Sequence, residues 1–290
     1  MTDISVIIVN HNTKDLCQQT IKSVRQTTHC ASYEIIVVDN SIDHTQVYTD
    51  EYGACVYSDV PNNGFGHGCN FGAQRARGRY LLFLNSDTVL HDAVLDRCML
   101  YLNAHSDVGA LGIKTLLSDG TFDHGCKRGF PTPINALYYF LGFDIRYPQN
   151  KKFGGYRLAY LNENATNDVD SVSGSFLMMP LDLYQSLGGF DEVFFMYGED
   201  LDLCYRIKEK GYRVVYYADV SMLHLKGQSG LSSKNKFVLY HFHHSMLLFY
   251  DKHYKKKYPV MLTWLVHSAV RLKYWFSLWR IDNSQGRSND

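Results

Sequence analysis

The chain has 290 residues, 46% of them hydrophobic, which is enough to build a proper core over one large or two small domains, so the protein is globular. Its 29 basic residues cancel its 29 acidic ones, which argues against a whole-molecule preference for nucleic acid. Seven of the basic residues fall between positions 252 and 280, a segment without Asp or Glu, leaving 22 basic against 29 acidic residues elsewhere, so positive charge gathers at the C-terminal end.

Seven cysteines (17, 30, 55, 69, 98, 126 and 204) are odd in number, widely spaced and free of C-x-x-C pairs, the pattern of reduced, buried thiols in a cytosolic protein. The opening "MTDISVIIVNHN" has an acid at position 3 and an apolar run of only six residues, which argues against a signal peptide. The longest candidate for a membrane span, residues 259–281, is interrupted by His267, Arg271, Lys273 and Arg280.

In chain order, "ISVIIV" (residues 4–9) predicts a buried strand, Asn10 to Asn12 a loop, and Leu16, Thr20, Ile21 and Val24 a helix. "YEIIVVDNS" (33–41) is a second apolar strand ending in an acid, and "ACVY" (54–57) a shorter one. "GHGCNFGAQRARG" (66–78) reads as a Gly-rich turn into a helix, and "RYLLFLNSDT" (79–88) as a strand with a polar end. Strands buried on both faces and alternating with helices predict an α/β protein with a mostly parallel sheet. Ligands bind such sheets beyond the C-terminal strand ends, where Asn10, Asp39 and residues 85–87 converge on one rim.

Residues 114–170, rich in Gly, Asn and Tyr, predict loops and short helices over that rim. A strand "SVSGSFLMM" (171–179), a short helix "LDLYQSLGG", a helix "EDLDLCYRIKEKG" ended by Gly211 and a strand "YRVVYY" follow. From about Lys234 the composition turns to aromatic residues, His and Lys, so the chain divides into a unit over 1–230 and a helical extension over 231–290.

The stretch "GGFDEVFFMYGEDLDLCYRIKEKG" (188–211) gathers Asp191, Glu192, Glu199, Asp200 and Asp202 around the apolar run 193–197. Acids sit favourably near the positive end of a helix, and a carboxylate against apolar walls also gains basicity, which suits a general base. Asp202 and Arg206, four apart, are placed for a helix-face ion pair. Gly64, Gly66 and Gly68, with Asn63 and Phe65, form either a plain turn or a backbone cradle that brings a helix N-terminus to an anion such as a diphosphate. His241, His243 and His244 have no Cys or carboxylate at zinc-ligand spacing.

Six blocks in order carry a resemblance: "SVIIVNHNTKDL" (5–16), "VVDNS" (37–41), "NNGFGHGCNFGA" (62–73), "YLLFLNSDT" (80–88), "GGFDEVFFMYGEDLDLCYR" (188–206) and "VSMLHLKGQS" (220–229). Over residues 4–230 the chain resembles the inverting glycosyltransferases of family 2, and among them bacterial rhamnosyltransferases of surface polysaccharide synthesis. The resemblance implies a GT-A fold, a Rossmann-like sheet that binds a nucleotide-diphospho-sugar. It assigns Asp39 to the nucleotide, with Asn10, Asn63, Gly64, Phe65, Asn70, Asn85 and Ser86 around the donor. "NSD" (85–87) takes the place of the D-x-D motif: Asn85 replaces the first acid, Asp87 is left as the stronger ligand of Mg²⁺ or Mn²⁺, and His224 completes the site. Asp43 lies four residues after Asp39, where many relatives have their second acid five on, so this loop is shortened.

By the same resemblance Glu199 and Asp200 flank the acceptor, with Asp200 as base and Glu199 in reserve. The implied reaction moves L-rhamnose from dTDP-β-L-rhamnose, with inversion, onto a lipid-linked glycan at the cytoplasmic face of the cell membrane. Another donor, such as a UDP-hexose, fits the same blocks. A catalytically silent sugar-nucleotide-binding protein is disfavoured because Asp87, Glu199 and Asp200 are all present.

On a helix, Leu262, Leu265, Val266, Ala269, Leu272, Phe276 and Trp279 share a broad apolar face into which Lys273 intrudes, with Thr263, His267, Arg271 and Tyr274 roughly opposite. Together with "KHYKKKYP" (252–259), this face predicts peripheral contact with an anionic membrane. Packing on the catalytic unit, or on a second subunit in an oligomer, is the alternative.

Overall fold

The computed structural model describes residues 2–41, 53–58, 60–225 and 235–286. Asp43 and residues 226–229 of the last block lie outside them. The first half runs β1 (Ile4–Asn10), α1 (Lys14–Thr27), β2 (Tyr33–Asp39), β3 (Cys55–Tyr57), α2 (Phe65–Ala73) and β4 (Tyr80–Asn85). Fully buried, largely β-branched residues such as Ile4, Val6 and Ile8 of β1 and Val37 and Val38 of β2 suit strands covered on both faces. β1 lies parallel to both β2 and β4, and β3 parallel to β2. The register sets Asn10 beside Asp39 and Val9 beside Asn85, so the polar strand ends form one rim.

The second half departs from the expected parallel arrangement. β5 (Thr88–Leu90) follows the "NSD" segment directly, and α3 (Val94–Ala104) leads to β6 (Val108–Leu117). The chain leaves β6 at the rim and crosses it through β7 (Lys127–Arg128), α4 (Pro133–Phe140), α5 (Phe143–Arg146), β8 (Asn167–Val169) and β9 (Ser171–Val172). It then enters β10 (Phe176–Pro180) from that same rim, so β10 runs antiparallel between β4 and β6. "SVSGSFLMM" is therefore two strands, with β9 paired to β7 in a separate ribbon. After α6 (Leu181–Ser186) and α7 (Glu199–Glu209), β11 (Arg213–His224) pairs parallel to β6 and antiparallel to β5 and β8. The sheet order is β3-β2-β1-β4-β10-β6-β11-β5, with β8 on β11; six strands run one way and β10, β5 and β8 run against them, a mostly parallel sheet with antiparallel additions.

α2 also differs from its predicted form. Gly66, Gly68 and Gly72 lie inside the helix, not in a turn. A Cβ on Gly68 would meet the Val9 side chain at 2.9 Å and one on Gly72 the Ile7 side chain at 2.6 Å, so these glycines let the helix lie directly on β1. Only Gly64, the residue before the helix, takes a left-handed φ, of 106°.

The chain ends in α8 (Lys236–His253) and α9 (Val260–Gly286). Phe249, Tyr250 and Tyr254 share a core with Phe194, Leu201 and Tyr205, which joins α8 to α7. Among the described residues no helix is long and apolar enough to cross a membrane. The seven cysteines form no disulfide among the described residues; Cys30 and Cys55 are exposed, where the sequence reading expected buried thiols throughout.

Candidate active site

A cavity of about 920 Å³ opens along the rim, within the size range of small-molecule sites. Gly64, Phe65, Asn85, Ser86, Asp87, Glu199, Asp200 and His224, all singled out in the sequence, line it. His11 and Thr13 of the loop after β1, Asn40 after β2, and Arg128 and Tyr156 of the crossing segment complete its polar wall. No periodicity or motif marks Arg128 or Tyr156, because both sit in the aperiodic stretch whose sequence says little.

Asn10, Asp39, Asn63 and Asn70 do not line the cavity. Buried Asn10 donates to Asp39 Oδ1 and Ser41 Oγ, each at 3.3 Å, and accepts from Thr13 Oγ1 at 2.8 Å. Asp39 also accepts the Ser41 N–H at 2.9 Å, so the pair braces the rim just beneath the cavity wall. Asn63 is exposed, while its neighbour Asn62 faces the cavity. The Asn70 amide donates to the Phe190 carbonyl (3.0 Å) and Glu192 (2.7 Å) and accepts from Tyr184 Oη (2.5 Å), which ties α2 to the turn before α7.

The crowded acids resolve into separate pairings. Asp191 meets Lys252 Nζ at 2.5 Å, and Glu192 meets His67 Nδ1 at 2.9 Å. Asp202, fully buried, holds Arg206 at 2.8 Å in the expected i,i+4 pair and also takes Lys252 and His253 of α8, each at 2.7 Å. Asp200 Oδ2 accepts from Arg128 Nη2 at 2.5 Å and from the Gly174 N–H at 3.0 Å. Burial alone would pull the Arg128 guanidinium down; the Asp200 carboxylate outweighs it and holds Arg128 above its ordinary value.

Glu199 differs from the other four. It is buried, and its Oε2 has no hydrogen-bond partner among the described residues. Burial first, then the adjacent Asp200 charge, push its carboxyl up to about 8. Both acids sit in the first turn of α7, which is entered through two consecutive left-handed residues, Tyr197 (φ 68°) and Gly198 (φ 85°). Tyr197, unlike a glycine, bears the steric cost of its Cβ in this conformation, yet it keeps the strained geometry at the cavity wall, a pattern found where backbone placement serves a site. The same segment meets α2: the Phe65 N–H donates to the Phe195 carbonyl at 3.0 Å, and a Cβ on Gly64 would lie 2.3 Å from that oxygen. One donor of the α2 N-terminus is thus already used by the protein.

At the ends of β4 and β11, His224 Nε2 lies 3.1 Å from Asp87 Oδ1 and 3.3 Å from Asn85 Nδ2. One imidazole nitrogen and one carboxylate, beside room for diphosphate oxygens and water, make a donor set that suits Mg²⁺ or Mn²⁺. Among the described residues no group of three or more His, Cys, Asp or Glu is placed to hold a metal by itself. The α8 histidines are engaged elsewhere: His241 stacks on Phe195 at 4.6 Å, His244 on Tyr240 at 5.3 Å, and His243 Nδ1 bonds the Leu239 carbonyl at 2.9 Å.

Residues 5–163 match the family "Glycosyl transferase family 2", and residues 156–278 match "Glycosyl transferase family group 2". The chain belongs to glycosyl transferase family 2, and sugar transfer is its class of reaction. It is 25% identical over 248 residues to rhamnosyltransferase WbbL of Escherichia coli, covering 81% of this chain and 88% of that one. It is 30% identical over 183 residues to the N-acetylglucosaminyl-diphospho-decaprenol L-rhamnosyltransferase of Mycobacterium tuberculosis, covering 63% of this chain and 57% of that one. To the O-antigen biosynthesis protein RfbC of Myxococcus xanthus it is 26% identical over 78% of its own length, but it spans only 17% of that protein. Among solved structures, the mannosyltransferase PcManGT of Pyrobaculum calidifontis, in complex with GDP-Man and Mn²⁺, superposes with a TM-score of 0.58 at 16% identity over 99% of this chain and 74% of that one. The fold is the GT-A α/β architecture with a C-terminal helical extension.

Proposed function

We propose that the protein is an inverting, metal-dependent transferase that moves L-rhamnose from dTDP-β-L-rhamnose onto a lipid-linked saccharide in surface polysaccharide synthesis. The observation that carries this reading is that two sets of groups line one cavity: Asp200 with Arg128 and Glu199, and Asp87 with His224. The relatives named above as rhamnosyltransferases support the donor, and the decaprenyl diphosphate in one of their names supports the acceptor class.

In this reading the acceptor hydroxyl gives its proton to Asp200 as its oxygen bonds to the anomeric carbon. The bond from that carbon to the diphosphate oxygen breaks on the opposite face, and its electron pair leaves with the nucleoside diphosphate. Arg128 fixes the Asp200 carboxylate in place. Glu199, neutral below about pH 8, holds a proton it can donate in a hydrogen bond to a sugar hydroxyl. Asp87 and His224 would hold Mg²⁺ or Mn²⁺, whose charge stabilises the departing diphosphate when bound. The apolar segment 194–197 shields the donor from water.

The extension supplies the peripheral contact with the membrane, at its cytoplasmic face. Trp264, Leu272, Trp275 and Trp279 of α9 are all exposed, and so are Lys255, Lys256 and Lys257 just before it, a pairing suited to an interface with anionic headgroups. A thermal-shift and nucleotide-release screen of dTDP-, UDP- and GDP-sugars with Mg²⁺ or Mn²⁺ tests the donor. The expected result is a response to dTDP-rhamnose that EDTA abolishes. A response to a UDP-hexose instead would replace the donor, and one indifferent to EDTA would remove the metal.

A further inference from the structure

α9 meets α8 through Thr263 Oγ1, 3.0 Å from Tyr250 Oη, and His267 Nε2, 2.8 Å from Asp251, while Val266 of the same helix packs on the core shared by α7 and α8. Leu262, Leu265, Val266, Ala269 and Val270 of α9 line the catalytic cavity. α4 forms the facing wall through Leu137 and Phe140, and although it reads "PINALYYF", none of its residues is buried. The two helices meet where Lys273 Nζ lies 3.6 Å from the centre of the Phe140 ring.

We propose that the gap between α4 and α9 receives the hydrocarbon chain of the acceptor, an inference that rests on the transferase reading above. The aliphatic side chains of these walls carry no hydrogen-bonding group, so a sugar or diphosphate placed between them would lose its water without compensation, whereas a methylene chain gains from burial. Glu199 and Asp200 line the same cavity, so an acceptor whose head group reaches them can lay its hydrocarbon chain along these walls. Ile134, Leu141 and Trp264 are exposed, and the exposed Lys255, Lys256 and Lys257 complement the charge of a lipid diphosphate at a membrane surface.

Two measurements on the full chain test this. In the first, hexadecyl diphosphate brominated along its chain is titrated, without vesicles and below micelle formation, into protein whose Trp275 and Trp279 are Phe, and quenching of Trp264 is read. Quenching that saturates, and that weakens about tenfold in affinity when Ala269→Phe fills the gap, is expected from the loss of two or so buried methylenes. Quenching that is absent, or equal in Ala269→Phe and in the milder Leu265→Asn, overturns the proposal; circular dichroism confirms that the variants fold. In the second, N-acetylglucosaminyl diphosphate esters of methyl, octyl and hexadecyl alcohols serve as acceptors with dTDP-rhamnose. The hexadecyl-to-methyl ratio of kcat/KM is expected to be large and to fall about tenfold in Ala269→Phe. A ratio near unity in the unmodified protein overturns the slot while leaving the transferase reading intact. Saturable, Ala269-dependent quenching without turnover of any donor leaves the slot standing and overturns the transferase reading.

Discussion

Glu199 and Asp200 are adjacent in the chain, yet their surroundings are opposite. Asp200 is tied to a buried guanidinium and a backbone N–H, while Glu199 keeps an unpartnered oxygen in an apolar setting. In the proposed mechanism these opposite surroundings divide the roles of proton acceptor and proton holder between the two residues. Asp200→Asn is expected to lower kcat on the order of 10²-fold or more with donor binding retained, the loss typical of a missing base. Glu199→Gln, which keeps a neutral hydrogen-bond donor, is expected to retain most of the rate; a collapse in Glu199→Gln with little change in Asp200→Asn would exchange the two assignments. The raised Glu199 carboxyl also has a stability consequence. Below its ordinary value of 4.5 it is protonated in folded and unfolded chains alike, and from there to about 8 only the folded chain keeps the proton. Stability contributed by this group therefore falls as pH rises through that window and levels off above it. The melting temperature of Glu199→Gln relative to the unmodified protein is expected to rise from pH 5 to pH 9, which circular dichroism melts would follow; a constant difference would show that Glu199 is not held protonated.

At the scale of elements, α7 is where the molecule is bolted together. Its Asp202 joins Arg206 of the same helix to Lys252 and His253 of α8, with no exposure to solvent. Removing one member of such a buried network leaves the other charges without compensation. Asp202→Ala is expected to cost about 3–5 kcal/mol in denaturant unfolding. A cost within about 0.5 kcal/mol, typical of a surface site, would mean that the network adds little beyond packing. α2 shows a related dependence on particular residues. Its glycines read as a flexible turn in the sequence, but their role is to remove side chains between a helix and β1, a requirement that exists only once the two elements touch.

At the scale of the whole molecule, the rim of the sheet collects the polar groups of the cavity, and in the proposed reading the extension orients that cavity at a membrane. Polar strand ends and the start of α7 face one cavity, while α9 turns its tryptophans outward on the side where that cavity is apolar. Replacing Trp264, Trp275 and Trp279 together by Gln is expected to weaken co-sedimentation with anionic liposomes about tenfold or more, and raised salt to weaken binding further by screening the lysines. Unchanged sedimentation would move the contact away from α9.

The sequence by itself determined β1 to β4, the start of β11, the rim and the acidic pair at the head of α7, because apolar runs and strand-end polar residues are local signals that persist in any packing, whereas β5 to β8 lie in stretches it did not mark as strands. Asn85, Asp87, Glu199, Asp200 and His224 were singled out through the resemblance carried by the ordered blocks, and the fold brings all five to one cavity. Only the tertiary structure decided that Arg128 meets Asp200, a contact between residues 72 positions apart. It alone decided that Asn70 and Asp39 brace the frame beside the cavity and that β10 runs backwards. The same holds for α9, whose periodicity carried no information on its partners. Partner choice depends on what the fold brings alongside, and here Thr263 and His267 bond Tyr250 and Asp251 of α8 and Val266 packs on the core shared with α7, while Leu262, Leu265 and Ala269 line the cavity.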